Sequence, residues 1–329
     1  MAGTADASLV LQGLRIPGTK DALKEAEGDL NWLQASDHHL IRYTDDDYPG
    51  RLKEIWNPPY LLYASGHRNA FYKTDQAVAV VGARKASSYG LKQAAAIAEE
   101  LGRRDVTVVS GLALGIDAAA HEGALLGHGT TIAVLGTSCD DIYPKRNWRL
   151  AERIQSHGLI ISEFPLGTPA YPANFPRRNR IVTGLAVATV VVEAALKSGS
   201  LISARLAGSE GREVMAVPGQ VTNPQSRGCH QLIRDGATLI ETASDILREL
   251  GIEGEISLQM GSHGHDLSPD QLILMEMLAQ GPQSIDMLMD RVELCIEDLT
   301  VGLVSLEVLG LIFSEGGRYQ LARVSEGLA

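Results

Sequence analysis

Three guanidinium groups fall within four residues of the run Phe175-Pro176-Arg177-Arg178-Asn179-Arg180, next to a proline-rich loop. A guanidinium donates two parallel hydrogen bonds to a phosphate and stacks on a base, so the run points to a nucleic acid or another polyphosphate. Arg84 and Lys85 follow a short apolar segment, and Lys145, Arg146, Lys197, Arg205 and Arg227 sit in or near other turns that would extend the same rim. A single surface cation is more often merely solvated; Arg84 taken with the Arg-Arg-Asn-Arg run is read the other way. Two small-residue turns, Ser110-Gly111-Leu112-Ala113-Leu114-Gly115 and Ser198-Gly199-Ser200, offer backbone amides to a phosphate, although tight turns also need glycine for steric reasons. Asp117 and His121 are one helical turn apart, a spacing that serves an acid–base pair or, more commonly, a local side-chain hydrogen bond. Glu163 and Glu193 follow apolar segments; two such carboxylates suit hydrolysis, but capping loop amides or pairing with arginine is the commoner use.

Known catalytic signatures are missing. No G-x-G-x-x-G follows the first apolar segment, and there is no Walker loop, no G-x-S-x-G elbow and no carboxylate cluster built for magnesium. Binding without catalysis is therefore expected, with no cofactor and no metal. Cys139, Cys229 and Cys295 lie far apart with no histidine at ligand spacing, which indicates neither disulfides nor zinc and fits a reducing compartment. No basic leader followed by an apolar run is visible, and no stretch nears the roughly 18 apolar residues of a membrane span, so a cytoplasmic protein without membrane insertion is expected. The net charge of −11 is unevenly spread: residues 1–59 carry 6 Lys+Arg against 10 Asp+Glu, residues 60–248 carry 20 against 16, and residues 249–329 carry 3 against 14. A polyanion would dock on the basic middle and be repelled by the tail, because local potential decides where it binds.

The elements that must position these groups follow from the apolar pattern. Short β-branched runs at 77–81, 106–109, 131–135, 159–162, 189–193 and 213–217 alternate with amphipathic stretches at 89–101, 116–126, 147–156 and 202–210, and a short helix opens at 231–235. That alternation predicts an α/β fold with an open, doubly wound sheet. Four of the strands run into glycine or small polar residues, and in such a sheet these loops gather at the carboxyl ends of the strands, where ligands bind. Residues 251–266, with four glycines and two histidines, read as a linker. Residues 267–329 then predict three helices and a hairpin, a small winged-helix-like domain whose third helix has acidic residues and no Lys or Arg. A protein partner suits that helix better than a DNA duplex.

The order of motifs resembles the DNA-processing protein A (DprA/Smf) family. They are Val81-Gly82-Ala83-Arg84, Ser110-Gly111 through Asp117 to His121, Ile142-Tyr143-Pro144, Ser162-Glu163, Phe175-Pro176 with Arg178-Asn179-Arg180, Lys197 to Ser200, Val217-Pro218-Gly219, and Gly228 to Ile233 with Gly236-Ala237. The resemblance spans roughly residues 55–248. It implies an extended Rossmann-like, mostly parallel sheet over residues 60–250 that dimerises, binds single-stranded DNA without nucleotide hydrolysis, and helps load RecA recombinase in natural transformation. Carried over by position, Arg84, the loop around Arg178 to Arg180 and the Lys197 to Ser200 turn would contact DNA. Residues 1–59 are shorter than the family's N-terminal helical module and would hold part of it. Thr137-Ser138-Cys139, Ala186 and His230 depart from the family's usual residues around the pocket.

The physics agrees with that reading: several modest phosphate contacts add up along a strand, and counterion release makes affinity fall with salt. Tyr143, Tyr171 and Phe175 are the aromatics near the basic turns, so weak sequence preference is expected. Two other classes compete. One is a Rossmann-like nucleoside monophosphate phosphoribohydrolase, whose P-G-G-x-G-T-x-x-E signature this chain lacks. The other is a partner-binding scaffold dominated by the acidic C-terminal domain.

Overall fold

Val78–Val81 (β3), Val108–Ser110 (β4), Thr131–Val134 (β5), Leu159–Ser162 (β6) and Ala188–Val191 (β7) are buried along their whole length. Strands covered on both faces need continuous apolar runs, and these segments have them. In this computed structural model, which describes residues 20–252, 268–279, 281–289, 291–292, 296–308, 311–315 and 317–321, they form the centre of a nine-stranded sheet. His38–Arg42 (β1), Leu61–Gly66 (β2), Glu213–Ala216 (β8) and Thr238–Leu239 (β9) complete it in the order β1-β2-β6-β5-β4-β3-β7-β8-β9. Six neighbouring pairs are parallel; β1 with β2 and β2 with β6 are antiparallel. The expected doubly wound, mostly parallel Rossmann-like sheet is present.

Side chains alternate across the sheet into two helical layers. Val78 and Val80 pack with Ala94, Ile97 and Leu101 of Ser88–Arg103 (α3) and with Ile116 and Ala120 of Ile116–Leu126 (α4). Ala79 and Val81 face the opposite layer, with Ile181 and Val182 of Asn174–Gly184 (α6) and Leu201 and Ala204 of Ser200–Ser209 (α7). Trp148–His157 (α5) covers β5 and β6 through Leu150, Ala151 and Ile154. The chain lays β3 to β6 outward in one direction and then returns to place β7 on the other side of β3. The loops leaving β3 and β7 therefore diverge, and the crevice between them is where an open α/β sheet binds its ligand.

The N-terminal region differs from the expected partial helical module. Lys20–Trp32 (α1) is helical, but β1 follows it and joins the main sheet. Only Ile41 of the five β1 residues is buried, too little alternation to mark a strand; pairing with β2, itself tied to β6, decides its conformation. Gly50–Glu54 (α2) follows, with Leu52 buried. At the other end the expected short helix starts earlier, at Arg227–Arg234 (α8), and Ala243–Glu249 (α9) opens with a Thr242–Asp245 capping box.

The chain divides into two compact units, Met1–Glu253 and Gly254–Ala329. Apart from Gly251 and Ile252, the segment read as a linker lies outside the described residues, as do Cys295 and Gly316 of the hairpin turn. The second unit has helices Pro269–Ala279 (α10), Ile285–Met289 (α11) and Ile296–Val308 (α12), then the antiparallel pair Ile312–Glu315 (β10) and Arg318–Leu321 (β11). Its core is Leu274, Met275, Leu278, Leu288, Leu299, Leu303, Leu306 and Ile312. On α12, Asp298 and Glu307 are exposed. Among the described residues no helix is long and apolar enough to cross a membrane.

Candidate nucleic-acid interface

The loops that leave β3 and β7 meet the start of α6 around a cleft of about 470 Å³, within the range of small-ligand sites. Gly82 and Arg84 form one wall, Ser198, Gly199 and Ser200 another, and Phe175, Pro176, Arg178 and Asn179 a third; Ala113, Asp117 and Tyr143 close it. A recess of about 60 Å³ beside it adds Gly111 and Leu114. Arg84 is exposed at the mouth with its guanidinium 5.2 Å above the Phe175 ring, and the Tyr143 ring lies 5.6 Å from Phe175. A cation over an aromatic face is held by the ring quadrupole, which keeps Arg84 aimed across the opening.

The floor is a buried polar lattice. Arg178, 4% exposed, donates from Nη1 to the Gly111 carbonyl at 2.7 Å and to the Val134 carbonyl, and from Nε to Asn179 Oδ1 at 3.2 Å. Asp117, 7% exposed, accepts the Gly111 and Ala113 amides on Oδ2 at 3.2 and 3.4 Å. Asn147 donates to the Leu112 and Ala113 carbonyls at 2.9 and 3.3 Å. Three side chains from three elements thus hold the loop after β4, and Leu112 sits buried within it at φ 56°. That left-handed conformation costs a non-glycine residue about 1 kcal/mol or more, so the surrounding bonds must over-determine it. Burial pushes the Asp117 carboxyl up from its usual range, with Arg178 opposing. Burial also lowers Arg178 to about 10, which leaves it charged at neutral pH.

The expected continuous row of cations is broken. Arg177, Arg178 and Arg180, expected in a loop, lie on α6, where successive side chains turn by about 100°. Arg177 and Arg180 share a face and both meet Glu163, at 3.3 and 2.6 Å, while Arg178 turns inward. Lys145 pairs with Asp141 at 2.5 Å. Arg84, Lys85, Lys197 and Arg205 are exposed and carry no ion pair among the described residues. Of the expected residues, Arg84, Gly111, Arg178, Asn179, Ser198, Gly199 and Ser200 line the cleft or its recess. Lys85, Ser110, Lys145, Arg177, Arg180, Lys197 and Arg205 stand outside those walls. Asn147 was not expected; an asparagine before an amphipathic helix carries no distinguishing signal.

The two small-residue turns differ in availability. Gly111 has its amide and carbonyl taken by Asp117 and Arg178, and a Cβ there would collide with the Arg178 guanidinium, so its glycine serves arginine packing and not a phosphate. Ser110 is buried and donates to the Val80 carbonyl at 2.6 Å. At the second turn, Ser200 donates to the Gly82 carbonyl at 2.9 Å, and a side chain on Gly199 would meet open space.

Other titratable groups are engaged structurally. Glu193, 1% exposed, accepts the Ser87 amide at 2.8 Å and its hydroxyl at 2.5 Å, fixing the start of α3. Neither Glu163 nor Glu193 lines the cleft. Asp117 and His121 do not meet: the Thr131 hydroxyl donates to the Val108 carbonyl at 2.8 Å, so His121 must donate to it from Nδ1, at 2.7 Å. Burial, with Arg178 adding repulsion, drives the His121 pKa down to about 3. No group of His, Cys, Asp or Glu among the described residues is placed to hold a metal ion.

A family model of DNA recombination-mediator protein A matches residues 39–251, the span that contains every wall of the cleft. Protein Smf of Escherichia coli is 40% identical over 304 residues, which cover 90% of this chain and 80% of that one. DNA processing protein A of Streptococcus pneumoniae superposes with a TM-score of 0.62 at 38% identity, over 70% of this chain and 83% of that one. The same protein of Helicobacter pylori, studied for its single-stranded DNA binding mode, superposes with a TM-score of 0.59 at 30% identity, over 65% and 96%. With its sheet, its cleft and its motifs in one order, the chain belongs to the DNA recombination-mediator protein A family, the DprA/Smf proteins.

Proposed function

We propose that the chain binds single-stranded DNA across the β3–β7 crevice, shields incoming strands during natural transformation and recombination, and helps load RecA recombinase onto them. It acts in the cytoplasm as a homodimer and does no covalent chemistry on the strand. The observation that carries this reading is Arg84: a guanidinium without an ion pair among the described residues, stacked on Phe175, at the mouth of a cleft at the sheet's switch point. Phosphates run outside along Arg84, Lys85, Lys197 and Arg205, with the Ser198–Ser200 turn beneath them. Lys145 and Arg177, both exposed, join by exchanging a carboxylate for a phosphate. Arg178, Asn179 and Arg180, with Ser110 and Gly111, hold the surface that the strand lies on.

Family membership and the Helicobacter pylori relative's single-stranded DNA binding mode support the ligand. RecA loading and dimerisation rest on family membership; two clefts on one strand would raise avidity through effective concentration. Titration of labelled single-stranded and double-stranded oligonucleotides at two salt concentrations tests the reading. Tighter binding of the single strand, weakening with salt, is expected; equal affinity for duplex, or no salt dependence, overturns it.

A further inference from the structure

The sheet end that bears the cleft carries a second aromatic surface. β2 runs antiparallel to β6, with Tyr63 opposite Ser162, so the chain enters β2 beside the point where β6 ends. β1 leaves the sheet at that end too, with Arg42 opposite Leu61. Tyr60 and Tyr43 therefore meet there: the Tyr43 amide donates to the Tyr60 carbonyl at 2.9 Å, and the rings lie 5.8 Å apart, tilted by 53°. Tyr60 is 76% exposed. Tyr43 is half-buried, with the Tyr48 ring 5.4 Å away, and the Tyr48 hydroxyl donates to the Pro59 carbonyl at 2.7 Å, which fixes the approach to Tyr60. Leu62 and Tyr43 pack in the layer that α6 covers, and alternation sets Tyr60 on the same face as Leu62. α6 links this surface to the cleft: Phe175 and Pro176 wall the cleft, and the next residue, Arg177, reaches Glu163 directly after β6.

We infer that Tyr60, backed by Tyr43, is a second stacking site for the strand, taking an unpaired base that lies outside the cleft beyond Arg177. The inference rests on the single-stranded DNA reading above and extends it. From β3 to β2 the sheet spans four strand spacings, about 19 Å, so a strand must leave the cleft to reach the tyrosines. The local charges favour a base over a phosphate as occupant. Arg42 is paired with Asp45 at 2.8 Å, Lys53 lies over the Tyr43 and Tyr48 rings, and Asp46 is exposed, so a phosphate finds no open cation among these groups. A base needs none: every base has a π-face, and an exposed ring held in place accepts it whatever the sequence. Two tyrosine rings also fall far short of the roughly 800 Å² that each side of a stable protein interface buries.

The test uses the full chain and a fluorescent oligothymidine of about 15 nucleotides, near the upper end of known single-strand site sizes. Tyr60→Ala should weaken binding about fivefold, the scale of one lost base–aromatic stack, and by the same factor at every salt concentration, because no phosphate contact is removed. Tyr60→Phe keeps the ring and should bind as the unaltered protein does. Trp56→Ala is the control: Trp56 is equally exposed, but its amide donates to Glu210 just past the end of α7, whose first residue lines the cleft, so it stands at the opposite end of the sheet. A strand that keeps its phosphates but carries bases only in a central run of about four nucleotides should bind Tyr60→Ala and the unaltered protein alike. Equal affinity of Tyr60→Ala and the unaltered protein for the full strand would overturn the site. So would an equal loss in Trp56→Ala, or a deficit that persists on the partly abasic strand. A Tyr60→Ala protein changed only in its sedimentation would make this face a contact between copies of the chain and would overturn it too. Absence of binding to any single strand by the unaltered protein would instead defeat the function on which the site depends.

Discussion

Replacing Arg84 by alanine removes one of the four expected contact cations, with Lys85, Lys197 and Arg205, that are exposed and carry no ion pair among the described residues. Each phosphate neutralised on a single strand contributes about −0.7 to the slope of log affinity against log salt, so four such contacts give about −2.8. Raising salt from about 50 to about 200 mM then weakens binding about 50-fold. With Arg84→Ala the slope should fall to about −2.1 and the loss to about 20-fold over the same range. Fluorescence anisotropy at four or five salt concentrations measures both quantities. Lys53→Ala is the control: that ammonium sits over the Tyr43 and Tyr48 rings, 5.5 and 5.6 Å from their centroids, and does not line the cleft. An Arg84→Ala slope equal to that of the unaltered protein would refute the placement of phosphates along this rim, however much the affinity itself changed.

His121 makes the fold acid-sensitive. Its folded pKa, about 3, lies below the unfolded value near 6.5, so as pH falls below 6.5 the unfolded chain takes the proton first and stability is lost until pH nears 3. At about pH 5 that amounts to about 2 kcal/mol. His121→Asn keeps a donor for Thr131 without titrating, and urea midpoints at neutral pH and about pH 5 should show the acid loss shrink by that amount; an identical pH dependence would count against the buried neutral imidazole. Gly111→Ala pushes the Arg178 guanidinium off two buried carbonyls and should destabilise by about 2–4 kcal/mol in urea melts, whereas a neutral effect would mean the floor is not packed as described. Deleting residues 254–329 removes an acidic unit and should leave single-stranded DNA binding in place; its loss would move the interface to that unit.

The central strands were legible because burial on both faces forces unbroken apolar runs, and the family was legible because its motifs sit in the loops those strands must end in. β1 was not legible, since one buried residue in five leaves no period to detect. At the cleft, residue types were readable but directions were not. Arg177, Arg178 and Arg180 look equivalent in a string; on a helix they divide between Glu163 and the floor. Gly111 shows the same limit: its presence was noticed, but the guanidinium that forbids a Cβ there comes from a residue 67 positions later. The capping box at Thr242 and Asp245 was available in the sequence and would have revealed α9.

Glu163 divides a single negative charge between two guanidinium groups of very different standing. Arg180, 2.6 Å away and 11% exposed, is anchored; Arg177, 3.3 Å away and 60% exposed, is tethered by a surface contact worth less than about 1 kcal/mol. Arg177 is thus a cation on a loose leash, parked against its own chain and free to exchange that carboxylate for another anion with little penalty. On the proposed reading, the same carboxylate would recapture it once a strand left, and an outer grip that opens this easily would suit a protein that passes its strand onward.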